Sequence, residues 1–388
     1  MPTPLAWQTW AKPRSAKWHG RGLDSGALAR LNSGVSPPRV SVLLPAFNAL
    51  ATLPRAVASI RAQTFTDWEL LVVDDGSTDG TTEWLRAQAA REPRLKVISQ
   101  PHGGIVAALN HGLAAARGEF ISRMDADDES LPERLAEQVA CLDAQPDIGL
   151  VGSLVEFGGD RAASQGYALH VDWLNTIITP EQISLNRFVE SPFAHPSVMF
   201  RRELVARHGG YREGDFPEDY ELWLRWLEAC VRMAKVPRAL LRWHDRAARL
   251  SRTDPRYQVE SFYQLKAEYL ARWLHAHVPA AANRSSAGLA ARDAERASPS
   301  LLVWGAGRVT RKRVKLLEAH GITVSAYVDI DPNKLGRSRA GHDVLAPEQI
   351  PPGAFVVGYV AKRGAREDCR ARLGQRGFVE GRDFLFAA

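Results

Sequence analysis

An α/β fold built on a mostly parallel sheet is the class this 388-residue sequence predicts. From Val40 onward, apolar runs of strand length alternate with segments of helical period, the text expected of βαβ units. Glycine and aspartate cluster directly after several of those runs, where ligands bind in such sheets. The length exceeds what one hydrophobic core usually organises, so two domains, or one large α/β domain with an appended unit, are expected.

Four strands read in order: VSVLLPA (40–46), WELLVVDD (68–75), LKVIS (95–99) and GEFISRMD (118–125). Between them TLPRAVASIRAQ, TTEWLRAQAA and IVAALNHGLAAA read as helices, the second with Ser77 or Asp79 as candidate N-cap. Beyond about residue 146 the alternation loosens. Strands are expected in IGLVGSLVEF and SVMFRR, a helix from Asp219 to Val231, and a further helix over 255–276. Residues 278–300 hold eight alanines between Ser, Pro and Gly and read as a linker. After it LLVWGAG, a helix ending at His320 and ITVSAYVDID repeat the strand, glycine turn, helix, strand order on a smaller scale. The predicted organisation is an N-terminal arm (1–39), a main α/β domain (40–277), a linker (278–300) and a small Rossmann-like domain (301–388).

Composition excludes several classes. No window approaches about 18 uninterrupted apolar residues, so no membrane-spanning helix is expected. The first 20 residues lack the apolar stretch of a secretory signal, which leads us to expect a cytoplasmic protein. Cys141, Cys230 and Cys369 are odd in number and stand in no CxxC spacing, against a disulfide framework or a cysteine-built zinc site. The net charge of +6 is uneven: residues 1–39 hold six Lys/Arg against one Asp/Glu, residues 40–300 hold 29 against 34, and residues 301–388 hold 15 against 9. A nucleic-acid reader carries its cations on the main folded domain, which here is acidic, so no nucleic-acid partner is expected. The basic arm also carries Trp7, Trp10 and Trp18, a mixture suited either to peripheral contact with an anionic bilayer or to an ordinary docking tail.

Acidic groups at strand ends are the strongest local signal. Asp74 and Asp75 close the second run, and Asp125, Asp127 and Asp128 close the fourth in RMDADD. Several carboxylates converging on one crevice repel unless a cation joins them, and oxygen ligands without clustered Cys or His suit Mg²⁺ or Mn²⁺. The alternative for DADDESLP is a solvated turn with Ser130 or Asp128 as helix N-cap and Pro132 in the first turn.

VSVLLPAFN, WELLVVDDGSTDGT, HGGIVAALNHGLAAARGEFISRMDADD and GDFPEDYELWLRW, in that order and spacing, resemble the family 2 glycosyltransferases of GT-A fold from about Val40 to about Ser251. The resemblance implies that Pro45, Phe47 and Asn48 lie along the base and ribose of a nucleoside diphosphate sugar donor. It implies that Asp75 accepts from the base, and that Gly103 and Gly104, with Asn110 further along the helix, form the loop against the nucleotide. Ala49 and Leu50 stand where the family usually has a Glu. Arg123 is placed to reach a phosphate or to neutralise Asp125. Asp125 and Asp127 match the DxD pair, the first facing ribose or metal water and the second ligating the metal. Asp219 is implied as general base and Glu218 as its orienting partner, with attack opposite the diphosphate and inversion at the anomeric carbon. His195, Arg242 and His244 resemble phosphate and metal contacts from outside the nucleotide half. Trp173, Trp223 and Trp226 offer an acceptor platform or core packing.

In the C-terminal unit Gly305, Gly307 and Asp329, 22 residues after Gly307, resemble a Rossmann nucleotide-binding turn, with Thr310 in place of the third glycine. Such a unit binds a nucleotide, or packs, dimerises or docks. The function expected is a metal-dependent (Mg²⁺ or Mn²⁺) inverting glycosyltransferase. Its donor is expected to be UDP-linked and its acceptor a glycan or a lipid-linked saccharide. The rival readings are a non-catalytic nucleotide-sugar scaffold and a transferase fused to a nucleotide-binding or oxidoreductase-like domain.

Overall fold

The computed structural model describes residues 36–246, 249–278, 300–362 and 364–388. Residues 38–388 form one compact unit. Nearly all of the basic arm and of the 278–300 linker lie outside the described residues. The larger sheet has eight strands: β1 (Val40–Ala46), β2 (Trp68–Asp74), β3 (Leu95–Ser99), β4 (Phe120–Arg123), β5 (Glu129–Ser130), β6 (Ile148–Phe157), β7 (Met199–Arg201) and β8 (Arg232–Trp243). Their order is β3-β2-β1-β4-β7-β6-β8-β5. The first four are mutually parallel, β7 runs antiparallel to both β4 and β6, β8 runs parallel to β6, and β5 runs antiparallel to β8.

The parallel half follows the sequence reading closely because its inner strands β2, β1 and β4 are buried on both faces. All residues of β1 and β2 are buried, which a continuous Val/Leu run makes possible. Helices Leu53–Arg61, Thr81–Ala89 and Gly104–Ala115 cross over between the strands. Helix Thr81–Ala89 takes Gly80 as its N-cap, in left-handed conformation. Asp79 serves the same turn from one residue earlier, accepting from Thr81 N at 3.0 Å.

β1, β2 and the turn before β4 are tied by a buried polar knot. Ser41 Oγ donates to Glu69 Oε1 at 2.7 Å, Arg117 N donates to the same oxygen, and the Arg117 guanidinium reaches Glu69 Oε2 at 2.8 Å. Gly118 N then donates to Ser41 Oγ at 2.8 Å. The backbones approach so closely here that a Cβ on Gly118 would stand 2.5 Å from Ser41 N and 2.9 Å from Phe120 O.

The segment DADDESLP departs from the helix-cap expectation. Glu129 and Ser130 form β5 on β8, and the helix begins only at Arg134, with Glu133 rather than Asp128 or Ser130 as N-cap. Long-range bonds hold the segment: Ser130 N donates to Ser59 Oγ, and Asp128 accepts from His244 N. Asp128 is fully buried, not a solvated turn residue.

A second sheet carries β9 (Leu301–Trp304), β10 (Ala326–Val328), β11 (Ser338–Arg339), β12 (His342–Leu345), β13 (Phe355–Gly358) and β14 (Phe384–Phe386) in the order β11-β12-β10-β9-β13-β14. All pairs are parallel except the β11–β12 hairpin. Helix Val259–His277 joins the two sheets. Its Leu265, Leu270 and Leu274 share one apolar cluster with Tyr220 and Leu224 on one side and with Leu301, Val303, Val314 and Leu317 on the other. Trp223 and Trp226 are completely buried and pack edge to face, so they are core residues rather than a platform for an acceptor. No described helix is long and apolar enough to cross a membrane.

Gly118→Ala should destabilise the protein by about 1–3 kcal/mol through this backbone clash. Urea unfolding reads it directly, and an unchanged midpoint would show that the strands do not approach as described.

Candidate active site

A cavity of about 460 Å³ opens at the carboxyl end of β4 and is lined by Arg123, Asp125, Asp127, His195, Glu218 and Asp219. Six of the side chains singled out in the sequence, from three separate stretches of chain, therefore meet in one place. Trp243, Arg249, Arg252, Tyr167, His170 and Tyr257 also line it. None of these was singled out as a site residue, because no motif or spacing in the sequence marks them.

The buried Arg123 guanidinium organises the wall. It contacts Asp125 Oδ1 at 2.7 Å, donates from Nε to His195 Nε2 at 3.3 Å and donates from Nη1 to Met124 O. Burial works to lower its pKa, but Asp125 foremost, with Tyr211 and Glu218, more than offsets this and keeps it cationic. His195 Nε2 also lies 2.8 Å from Tyr211 Oη. Since the arginine can only donate, Nε2 is the acceptor of the ring, which assigns the proton to Nδ1. That Nδ1 lies 3.8 Å from Glu218 Oε1. Burial and Arg123 push the His195 pKa well below its ordinary value, so the ring is neutral.

Glu218 and Asp219 open helix Glu218–Glu228, where the helix dipole favours carboxylates. Glu218 accepts from Tyr257 Oη at 2.6 Å, and Asp219 accepts from Tyr220 N at 2.7 Å. Burial, and then the neighbouring Glu218 charge, push the Asp219 pKa up to about 8.

Asp125, Asp127 and Asp128 each bring an oxygen to within 4.8 Å of the others. Burial first, and then Asp125, raise the pKa of Asp127; the same two causes raise Asp128 further. Asp128 Oδ1 accepts from His244 N at 2.8 Å, while its buried Oδ2 has no hydrogen-bond partner among the described residues. Three converging carboxylates, one of which keeps a buried oxygen without a partner among the described residues, fit a hard divalent cation. His244 stands beside this trio rather than in it. Its Nδ1 lies 3.2 Å from Gly158 O, and its buried Nε2 makes no hydrogen bond among the described residues and lies 3.6 Å from Glu129. Arg249 supplies a second organised cation beside Arg123. It lies 4.6 Å over the Trp243 ring, donates to Tyr167 Oη at 2.7 Å, and is held cationic against burial by Tyr167 and the three aspartates.

A second group of expected residues lies at the ends of β1, β2 and β3. Phe47, half exposed, stacks on His102 at 4.1 Å. Asn48 accepts from Thr78 N at 2.8 Å and donates its own N–H to Ser77 Oγ, while Pro45 is buried in β1. The buried Asp75 carboxylate takes Gly103 N and Gly104 N at 2.8 Å each, Gln100 Nε2 at 2.6 Å, and His102 Nδ1 at 2.9 Å. It thus caps helix Gly104–Ala115 from outside. Gly76, at φ +77°, permits this: a Cβ there would meet His102 N at 2.8 Å. Ile105, next to Gly104, lines the cavity, so the two groups are contiguous.

Two expected donor residues are committed elsewhere. Asn110 donates to Tyr211 O and accepts from Tyr211 N, at 2.9 and 3.0 Å. Arg242 pairs with Glu129 and Glu156 on neighbouring strands, at 3.3 and 3.1 Å, and does not line the cavity. In the smaller sheet Asp329 accepts from Ala306 N, Asp331 N and Lys334 Nζ. It thereby braces the Gly305–Gly307 turn beside a cavity of about 270 Å³.

The profile of glycosyl transferase family 2 matches residues 41–209. A putative glycosyltransferase, EpsE, of Bacillus subtilis is 32% identical over 60% of this chain and 81% of its own length. The O-antigen biosynthesis glycosyltransferase WbnJ of Escherichia coli is 28% identical over 50% of this chain and 76% of its own. Among solved structures, a mannosyltransferase of Pyrobaculum calidifontis in complex with GDP-Man and Mn²⁺ is 23% identical, with a TM-score of 0.44 over 63% of this chain and 65% of its own. Staphylococcus aureus TarS in complex with UDP-GlcNAc is 20% identical, with a TM-score of 0.46 over 61% and 73%. The chain belongs to glycosyltransferase family 2.

Asp75→Ala removes the acceptor of two helix-start N–H groups. It should cost about 1.5–3 kcal/mol, as hydrogen bonds to a charged group do, read as a lowered melting temperature. Asp75→Asn should recover part of the loss, and equal stability of all three proteins would exclude the capping role.

Proposed function

We propose that this chain transfers a sugar, with inversion, from a nucleoside diphosphate sugar, UDP-linked by preference, to a hydroxyl of a glycan or lipid-linked saccharide in surface polysaccharide assembly. The observation that carries this reading is the meeting of Asp219 with Asp125 and Asp127 in one cavity. A proton acceptor and a cluster fit to hold a cation there face the same small volume.

In this reading the Phe47–His102 stack and the loop of Gly103 and Gly104 receive the base and ribose. Asp125, Asp127 and Asp128 are the residues that would hold Mg²⁺ or Mn²⁺. The cation, when bound, supplies Lewis-acid stabilisation of the departing nucleoside diphosphate. Arg249, whose Nε and Nη2 make no hydrogen bond among the described residues, faces the same phosphates as a fixed cation. Asp219 takes the proton of the acceptor hydroxyl. Its raised proton affinity suits that task, since a base works best with a pKa near the operating pH. Glu218, fixed by Tyr257 Oη, raises that affinity by its charge and so tunes the base without touching the hydroxyl.

Asp219→Asn should lower kcat about 10²–10⁴-fold and leave the affinity for UDP, measured by calorimetry, within about twofold. Parallel loss of both would assign Asp219 to donor binding instead. For the pH dependence, the Asp219 carboxylate is the active form and its pKa lies near 8. In the free enzyme kcat/KM should therefore rise with pH and level off only above about pH 8. A cation and donor in the site would favour the carboxylate and shift the limb of kcat to lower pH. A profile already flat at pH 5 would mean that the base is another group. Chelation of divalent cations should weaken UDP binding at least tenfold in the native chain and have no effect in Asp127→Ala. If chelation weakens binding to Asp127→Ala as much as to the native chain, the cation site lies elsewhere.

A further inference from the structure

We propose that the exposed face of helix Arg308–Ala319 is a docking surface for an anionic lipid bilayer. This helix carries Arg308, Arg311, Lys312, Arg313 and Lys315 against the single Glu318. At about 100° per residue, Arg308, Lys312 and Lys315 fall within an arc of about 60°. Thr310, Val314 and Leu317 lie on the opposite side and are buried. The other two cations are turned to the protein: Arg311 donates to Ala306 O at 2.8 Å, and Arg313 lies 3.7 Å over the Tyr263 ring. Arg308, Lys312 and Lys315 are exposed, and among the described residues no carboxylate oxygen lies within 4.0 Å of any of them. The other long helix of the same unit differs, since its Arg370 is paired with both Glu367 and Glu380.

Two apolar side chains flank this stripe. Val309 is 59% exposed and Ile330 is 54% exposed. Ile330 lines the same small cavity as Gly307 and Thr310, at the start of the helix. Unpaired cations beside exposed aliphatic groups match the two layers of a bilayer surface, anionic headgroups over acyl chains. Nucleic acid would favour cations interleaved with aromatic rings, and neither Val309 nor Ile330 offers one. The charge of the whole chain points the same way, because residues 301–388 hold 15 Lys/Arg against 9 Asp/Glu while residues 40–300 hold 29 against 34. An anionic surface therefore attracts the C-terminal unit and repels the transferase sheet, which orients the molecule as well as holding it. This inference is independent of the donor and of the base assignment.

The test is co-sedimentation of the full chain with vesicles of phosphatidylcholine alone and of phosphatidylcholine with phosphatidylglycerol. Binding is expected only to the anionic vesicles and should weaken as salt is raised. Reversing the stripe with Arg308→Glu, Lys312→Glu and Lys315→Glu together should weaken it on the order of a hundredfold, with melting temperature and UDP affinity unchanged. The neutral set Arg308→Gln, Lys312→Gln and Lys315→Gln should show a smaller loss in the same direction and guards against a folding defect in the reversed set. Undiminished binding by the reversed protein would overturn the proposal and move membrane contact to the basic N-terminal arm. Equal binding to both kinds of vesicle, no binding to either, or tighter binding to duplex DNA would overturn it as well.

Discussion

The site depends on one buried cation. Arg123 ends β4 in the middle of the larger sheet, and its guanidinium touches Asp125 on one side and His195 on the other. An unpaired guanidinium at such a depth would be strongly unfavourable, and the clustered carboxylates would repel one another without it. A second buried arginine, Arg134, supports the arrangement from behind, donating to Ser122 Oγ and Arg123 O. Burial and the Arg123 charge push the Arg134 pKa down to about 9. Neutral His195 fits the same logic, because one ring nitrogen must accept from a group that can only donate.

This charge network reaches Asp219 through Glu218, and Asp219 reaches the C-terminal unit through its helix. Tyr220, directly after Asp219, is fully buried and shares its apolar cluster with helix Val259–His277 and with strands of the second sheet. Tyr257 Oη, just ahead of that helix, holds Glu218. The smaller sheet therefore lies behind the helix that opens with Glu218 and Asp219, as part of one continuous core. A packing defect at Leu265 or Leu270 would be felt at Asp219 as a displaced helix start.

The parallel half of the transferase sheet was legible in the sequence almost to the residue, because strands buried on both faces must be unbroken apolar runs. β1 coincides with VSVLLPA, and β2 falls one residue short of WELLVVDD. The antiparallel half was less so: β5 is two residues long, and its partner on the sheet, β8, is far away in sequence. Asp128 illustrates the difficulty. Locally it reads as a turn or cap residue, yet the hydrogen bond that determines its place comes from His244, 116 positions later. Asn110 and Arg242 show the converse, since motif position suggested a ligand while their polar atoms are engaged by Tyr211 and by two glutamates.

By itself the sequence determined the fold class, the family and the identity of the carboxylates, because these follow from periodicity and from short motifs whose residues are neighbours in the chain. Only the tertiary structure decided which of the candidates share a cavity, which proton each of them carries, and that Tyr167, Arg249 and Tyr257 join them. Burial and through-space charge set those properties, and both depend on residues tens to hundreds of positions apart that become neighbours only when the sheet and its helices close over them.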